Sequence, residues 1–154
     1  MKHINNVKLK KLEKSLELRR MTIRVILDSN FLMIPAKFPI DIFEGLEKAL
    51  NQRVEAVVPS PVYDELKRIS AIKSIKQARQ AREALKLAEK LKIIEVKARP
   101  REQIDDVILR LASEWGCPVA TNDAELRKKL KEKSIPVVYL RQRSHLEVNG
   151  AVFR

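Results

Sequence analysis

Acidic residues set far apart in a strongly basic chain are the first feature with chemical content. Asp28, Glu65, Asp105 and Asp123 each close an apolar run or open a helical one, and Asp106 stands beside Asp105 as an alternative in third position. Carboxylates that converge repel one another unless a cation neutralises them, and oxygen-only donors suit Mg2+ or Mn2+ rather than zinc. Such a site can generate a hydroxide nucleophile and stabilise the charge on a phosphodiester under in-line attack. Taken singly, each acid has an ordinary role. Asp28 reads as a turn residue, Asp123 as a helix cap, Asp105 as a first-turn partner of the helix dipole and Glu65 as a solvated helix residue. Asp41, Glu44 and Asp64 sit in equally ordinary places near helix starts. Only a shared location turns the acids into a site.

The surrounding elements supply that location. Residues 22–27 form a β-branched apolar run that ends abruptly in Asp28-Ser29-Asn30, the pattern of a buried strand followed by a turn. Residues 54–58, 93–96, 118–121 and 137–140 read as further strands. Between them lie helical stripes: Ile42, Leu46, Ala49 and Leu50; a long stretch over 62–91 with a break near 70–74; Ile104, Val107, Ile108, Leu111 and Trp115, in a helix that Pro100 is expected to open; and 124–131. Ser60 is the expected cap of the long helix, with Pro61 in its first position. Strands alternating with helices predict a three-layer α/β/α sandwich around a central, mainly parallel sheet. In such sheets the ligand crevice lies beyond the carboxyl ends of the strands, where Asp28 and Asp123 fall.

Four segments in this order resemble the acidic motifs of PIN-domain nucleases: Val25-Ile26-Leu27-Asp28-Ser29-Asn30-Phe31-Leu32, Pro59-Ser60-Pro61-Val62-Tyr63-Asp64-Glu65-Leu66, Asp105-Asp106-Val107-Ile108-Leu109 and Val119-Ala120-Thr121-Asn122-Asp123. The resemblance covers about residues 22–145 and looks closest to the Fcf1/Utp24-like branch, which processes ribosomal RNA. Its basis is the tail from Pro136 to His145 and the basic run after Asp123. It implies a PIN-like fold and a Mg2+- or Mn2+-dependent endoribonuclease. Asp28, Glu65, Asp105 and Asp123 would be successive metal ligands and catalytic residues, with Asn30, Thr121 and Asn122 as supporting polar groups. Asp106 stays open as the third ligand, although Asp105, 18 residues before Asp123, fits the family spacing better. A toxin-type, VapC-like RNase with an antitoxin partner is the nearest enzymatic alternative, and a non-cleaving RNA-binding scaffold the alternative from another class.

The charge balance fits a polyanionic partner. The 154 residues carry a formal net charge of +12, with a pI near 10.0, and nucleic acid leads among the anions this would attract. Candidate RNA-binding residues are Lys67, Arg68, Lys73, Lys76, Arg79 and Arg82 in the long helical stretch, Arg127, Lys128 and Lys129 after Asp123, and Arg141 and Arg143 near the end. Aromatic residues make up only 5% of the chain, so recognition should rest on backbone and shape rather than on stacked bases.

Residues 1–21 read as a basic N-terminal helix or arm, amphipathic over 5–20 through Leu9, Leu12, Leu16 and Leu18, with 22–154 as the nuclease domain. That helix could mediate a homodimer or dock on its own domain, and a ribosome-assembly factor is a further candidate partner. The first 21 residues lack the apolar run of a secretory signal, and no stretch is long and apolar enough to span a bilayer, so a cytoplasmic location is expected. The single Cys117 reads as a small buried hydrophobe, and His3 and His145 lack the companions a zinc site needs.

Overall fold

The computed structural model describes residues 5–72 and 74–150, the side chains of 15–20 excepted. Asn6–Arg20 forms α1, followed by β1 (Thr22–Leu27), α2 (Ser29–Leu32), α3 (Ile34–Lys37), α4 (Ile42–Leu50) and β2 (Arg53–Pro59). Then come α5 (Ser60–Ile72), α6 (Ile75–Glu89), β3 (Lys92–Ile94), α7 (Ile104–Trp115), β4 (Val119–Ala120), α8 (Ala124–Glu132), β5 (Val137–Arg141) and β6 (His145–Asn149). The six strands form one sheet in the order β3-β2-β1-β4-β5-β6, parallel except for β6. Flanked by helices, it is the α/β sandwich that the alternation of elements predicts.

The order explains where a site can form. From β1 the chain moves outward to β2 and β3, then returns to β4 and moves the other way to β5. Right-handed crossovers in opposite directions place α2 to α6 on one face and α7 and α8 on the other. The reversal leaves a crevice between the carboxyl ends of β1 and β4. Central strands buried on both faces require continuous apolar runs. Val25, Ile26 and Leu27 of β1, Val57 and Val58 of β2, and Val119 and Ala120 of β4 are accordingly sealed from solvent.

The helices attach by their own patterns. Ile42, Leu46 and Leu50 line the buried side of α4, whose first amides are capped by Asp41. Gly45 lets α4 lie against β6, because a Cβ there would come within 2.7 Å of Leu146 Cδ1. Helix α6 packs through a row of small residues, Ala78, Ala81, Ala84 and Ala88, all buried, with Leu85 partly so. A face of this kind allows close approach to α5 and leaves the opposite side of the helix for charge.

Several local expectations are corrected. The sheet gains an unexpected strand, β6, whose hairpin turn places Gln142 and Arg143 in left-handed backbone at φ 55° and 59°, without the glycine or asparagine that normally announces such a turn. The loop after Asp28 contains two short helices, α2 and α3. Helix α7 begins at Ile104 rather than at Pro100, because left-handed Arg101 interrupts the chain and Asp106 accepts the Gln103 N–H to start the helix. The Ser60 hydroxyl does not cap α5. It accepts the Val96 N–H at 2.9 Å and donates to the Val96 carbonyl at 3.2 Å, satisfying backbone beyond the end of β3. In α1, Val7, Leu9 and Leu12 are exposed rather than gathered into a buried stripe, while Leu16 and Leu18 lie outside the described side chains. Lys73 and residues 1–4 and 151–154 also lie outside the described residues. No helix among the described residues is long and apolar enough to cross a membrane.

The alanine row of α6 leaves no volume for a longer side chain. Ala84→Leu is expected to lower unfolding free energy by about 1–3 kcal/mol through overpacking, read as a reduced urea midpoint at unchanged slope.

Candidate active site

Asp28 occupies the crevice and is 4% exposed. Its backbone N–H still bonds the Ala120 carbonyl at 3.0 Å, so the ladder between β1 and β4 carries the residue to its position. Three donors meet its carboxylate. The Ser29 N–H reaches Oδ1 at 2.8 Å, while the Asn30 side-chain amide at 3.0 Å and the Thr121 hydroxyl at 2.7 Å reach Oδ2. Burial pushes the Asp28 carboxyl up to about 6, against the lowering pull of the Thr121 and Ser29 hydrogen bonds and with a further push from the charges of Glu65 and Asp105.

The polar residues around Asp28 form a continuous chain. A hydroxyl has one proton, so Thr121 gives it to Asp28 at 2.7 Å rather than to the Asn30 Oδ1 at 3.3 Å. The Thr121 oxygen accepts the Asp123 N–H at 3.1 Å. Asn30 Oδ1 accepts the Asn122 N–H at 2.9 Å, and Asn122 Oδ1 accepts the Leu140 N–H at 2.8 Å. Thr121 is fully buried, whereas Asn122 is exposed and joins the loop to the end of β5.

The other acids approach from separate helices. Glu65, half-buried on α5, accepts the Ser29 hydroxyl at 3.0 Å. Asp123 caps α8 through Oδ1, which accepts the Glu125 and Leu126 N–H groups at 2.9 and 3.3 Å. Asp105 stands in the first turn of α7 and has its carboxyl raised by burial first, then by the charges of Asp123, Glu65 and Asp106, with Lys129 opposing. The segment leading into α7 is held by Arg110, whose guanidinium clamps Glu102 at 2.8 and 2.9 Å and reaches the Lys97 carbonyl at 3.2 Å. Asp28, Glu65, Asp105 and Asp123 thus share one electrostatic neighbourhood. Exposed Asp106 instead commits Oδ2 to the Gln103 N–H at 2.9 Å.

The fit to a divalent cation can be tested on these groups. Every donor is a carboxylate oxygen, and none of the four acids forms an ion pair among the described residues. Among the described residues, however, no three acidic, histidine or cysteine side chains stand close enough to hold one ion between them. Such an arrangement fits Mg2+, which commonly takes one or two protein carboxylates and keeps the rest of its shell as water and substrate phosphate. It does not fit a closed structural site of the zinc kind.

The basic candidates fall into separate groups. Lys76, Arg79 and Arg143 line one basin together with Lys37, which charge counting along the helices passes over because it stands alone after a proline. Arg127 and Lys128 line another beside Tyr139, whose ring carries the Arg127 guanidinium at 4.7 Å. Lys129 acts on Asp105. Lys67 is engaged by Asp64 at 3.9 Å and by the Tyr63 ring, Arg68 lines a cleft that also holds Asp64 and Glu95, and Arg141 pairs with Glu147 at 3.1 Å. Arg82 is exposed on α6.

Comparison with known proteins places this geometry in context. The family model described as a PIN like domain matches residues 25–143. Ribonuclease VapC4 of Methanocaldococcus jannaschii is 35% identical over 130 residues, which is 84% of this chain and 98% of the relative. Ribonuclease VapC9 of Archaeoglobus fulgidus is 30% identical over 117 residues, 76% of this chain and 82% of the relative. Among solved structures, the PIN domain endonuclease Utp24 is similar with a TM-score of 0.68 and 26% identity, covering 84% of this chain and 92% of that one. A domain of a functionally unknown protein from Methanocaldococcus jannaschii shares the fold, with a TM-score of 0.54 and 19% identity over 85% of this chain and 99% of that one.

Folded Asp28 holds its proton more tightly than an unfolded aspartate with a pKa near 3.8, so its contribution to stability is present below that pH and is lost as pH rises through about 6. In chelator-treated protein, Asp28→Asn should therefore be the more stable form at pH 7, by about 1–3 kcal/mol, since each tenfold in ionisation is about 1.4 kcal/mol. Loss of the oxygen facing the Ser29 N–H offsets part of that gain. Denaturant titrations of both proteins at a series of pH values should show the difference shrinking toward pH 4.

Proposed function

This chain belongs to the PIN-like domain family, and from that membership we propose that it is a Mg2+- or Mn2+-dependent endoribonuclease. The observation that carries the reading is the convergence of Asp28, Glu65, Asp105 and Asp123 beyond the carboxyl ends of β1 and β4 in a chain of net charge +12. One or two of these acids would hold the cation directly and the others would add negative charge around it; when bound, the cation would supply Lewis-acid polarisation of the phosphate and an activated water. Asp105 serves rather than Asp106, whose carboxylate starts α7.

The chain's own residues then have distinct tasks. The Thr121 hydroxyl and the Ser29 N–H keep Asp28 available as an anion against the burial that would protonate it. Asn30 holds the side of Asp28 that faces Asn122 and sets the position of the loop. Lys129 tempers the repulsion at Asp105. The basic groups on α6, α8 and the β5–β6 hairpin hold the RNA backbone, and the low aromatic content accords with recognition by phosphate and shape.

For the substrate, we favour structured RNA of ribosomal precursor type, a reading supported by the likeness to Utp24. The VapC-named relatives favour a second reading, a toxin-type RNase neutralised by an antitoxin. A precursor rRNA transcript cleaved at one position, with other cellular RNAs left intact, would support the first. Growth arrest on expression, relieved by a co-expressed partner, would support the second.

Cleavage of a structured RNA should require Mg2+ or Mn2+, stop in chelator and fall at least about 100-fold in Asp28→Asn, the scale of losing a group that stabilises charge in the transition state. Undiminished metal-dependent cleavage by Asp28→Asn would remove this site from consideration. Tight RNA binding with no cleavage by either protein would favour a scaffold. With Asp28 ionising near 6, activity at fixed Mg2+ should fall on the acid side. Thr121→Val, which deletes a hydrogen bond that lowers this value, should move that limb of the pH–rate profile to higher pH.

A further inference from the structure

Beside the acid site the chain builds a second, wholly cationic feature. Lys37 at the end of α3, Lys76 and Arg79 on α6 and Arg143 in the β5–β6 turn line one open basin of about 740 Å3. No acidic residue lines it, and none of the four cations forms an ion pair among the described residues. Residues from three separate stretches of chain bring like charge together here, an arrangement that self-repulsion opposes and a bound anion relieves. Charges along one solvated helix face would not require this assembly.

Two further observations point to a ligand. Gln80, nine-tenths buried, lines the same basin and has no side-chain hydrogen bond among the described residues, which leaves its amide available to an incoming oxygen. Arg143 is held in a turn closed by the Ser144 N–H and the Arg141 carbonyl at 3.2 Å, with its own φ at 59° and that of Gln142 at 55°. These are the angles that the two central residues of such a hairpin turn require, so the β5–β6 pairing fixes where the Arg143 side chain leaves the backbone.

The basin is also tied to the acids. The segment leaving β1 carries Asp28 and Asn30 at one end and Lys37 at the other. The β5 end of the hairpin that presents Arg143 is held by Asn122 through the Leu140 N–H, and Asn122 is in turn held by Asn30. A strand with one phosphate at the acids can therefore extend across α3 toward α6.

We propose that the basin formed by Lys37, Lys76, Arg79, Gln80 and Arg143 is a phosphate subsite for the RNA backbone remote from the cleaved bond, so that activity depends on RNA length. The proposal rests on the ribonuclease reading above, and its failure is separable from the failure of that reading. All four cations are exposed or half-buried at the surface, so their substitution leaves the core intact.

The test uses a labelled RNA hairpin extended by a single-stranded arm of about 20 or about 3 nucleotides, more and less than the footprint of one small binding domain. Binding of the longer RNA is measured in chelator across a salt series for the full chain, Arg79→Gln, Arg143→Gln and, as a control outside the basin, Lys48→Gln. Each arginine variant should weaken binding roughly 3- to 10-fold and reduce the log–log salt slope by about 0.7 for each phosphate left without its cation. With Mg2+, the ratio of kcat/KM for the longer RNA to that for the shorter should fall several-fold in both variants and stay constant in the control. If the full chain cleaves and both arginine variants keep its salt slope and length ratio, the subsite is wrong while the ribonuclease reading stands. If the full chain neither binds nor cleaves RNA, both fail. Displacement of the RNA by polyglutamate as effective as that by a polyphosphate of equal charge would assign the basin to acidic peptide instead and overturn the proposal.

Discussion

The structure depends on holding one carboxylate out of water. Asp28 cannot be solvated where β1 ends, and a buried charge without partners is among the most expensive groups a fold can contain. The chain meets this cost with aligned donors, and with no lysine or arginine paired to it among the described residues: a backbone amide, an asparagine amide and a hydroxyl from the neighbouring strand's loop. The Thr121 donor exists only while β1 and β4 keep their register, in which Ile26 faces Val119 and Leu27 faces Ala120. A slip of one residue would reverse every side chain on the strand and turn Thr121 away. Sheet register and local charge are therefore one constraint, and the apolar runs that lock the strands are part of the site.

The second organising feature is the separation of opposite charges. A chain with so many lysines and arginines could have neutralised its acids internally, yet its described ion pairs fall elsewhere, at Glu55, Glu44, Asp64, Glu114, Glu102 and Glu147. Most are exposed pairs of small energetic weight. The Arg110–Glu102 clamp is the exception in burial and geometry, and it ties α7 to the segment just before it. Among the described residues, like charge is thus kept together at the crevice and the ion pairs lie away from it.

Much of this was legible because strong local patterns and function coincide. Residues 22–27 and 119–121 are apolar runs that stop at polar residues, so strand ends and site residues are read from the same signal. The limits have physical causes too. Periodicity cannot separate adjacent Asp105 and Asp106, which the fold puts to different local use: Asp106 accepts the Gln103 N–H at the start of α7. Strand β6 was hidden because its turn uses Gln142 and Arg143 in place of residues that tolerate left-handed backbone readily. The serine that looked like a helix cap had a better partner in Val96, a contact across 36 positions that no local rule can anticipate. Charge density along the chain could nominate lysines and arginines but could not tell Lys67 and Arg141, which form ion pairs, from Arg79, which forms none among the described residues, nor find Lys37 in the same basin as Arg143.

Helix α6 has a consequence for how such a protein can change over time. Its inward positions are nearly all alanine, so its seat against the domain is set by backbone proximity and owes little to the identity of its long side chains. The outward positions carry the charge and touch little else. Substitutions at exposed positions of this kind usually alter stability by less than about 0.5 kcal/mol. Lineages carrying this helix can therefore redistribute its positive potential by single mutations while the core that aligns the carboxylates remains untouched.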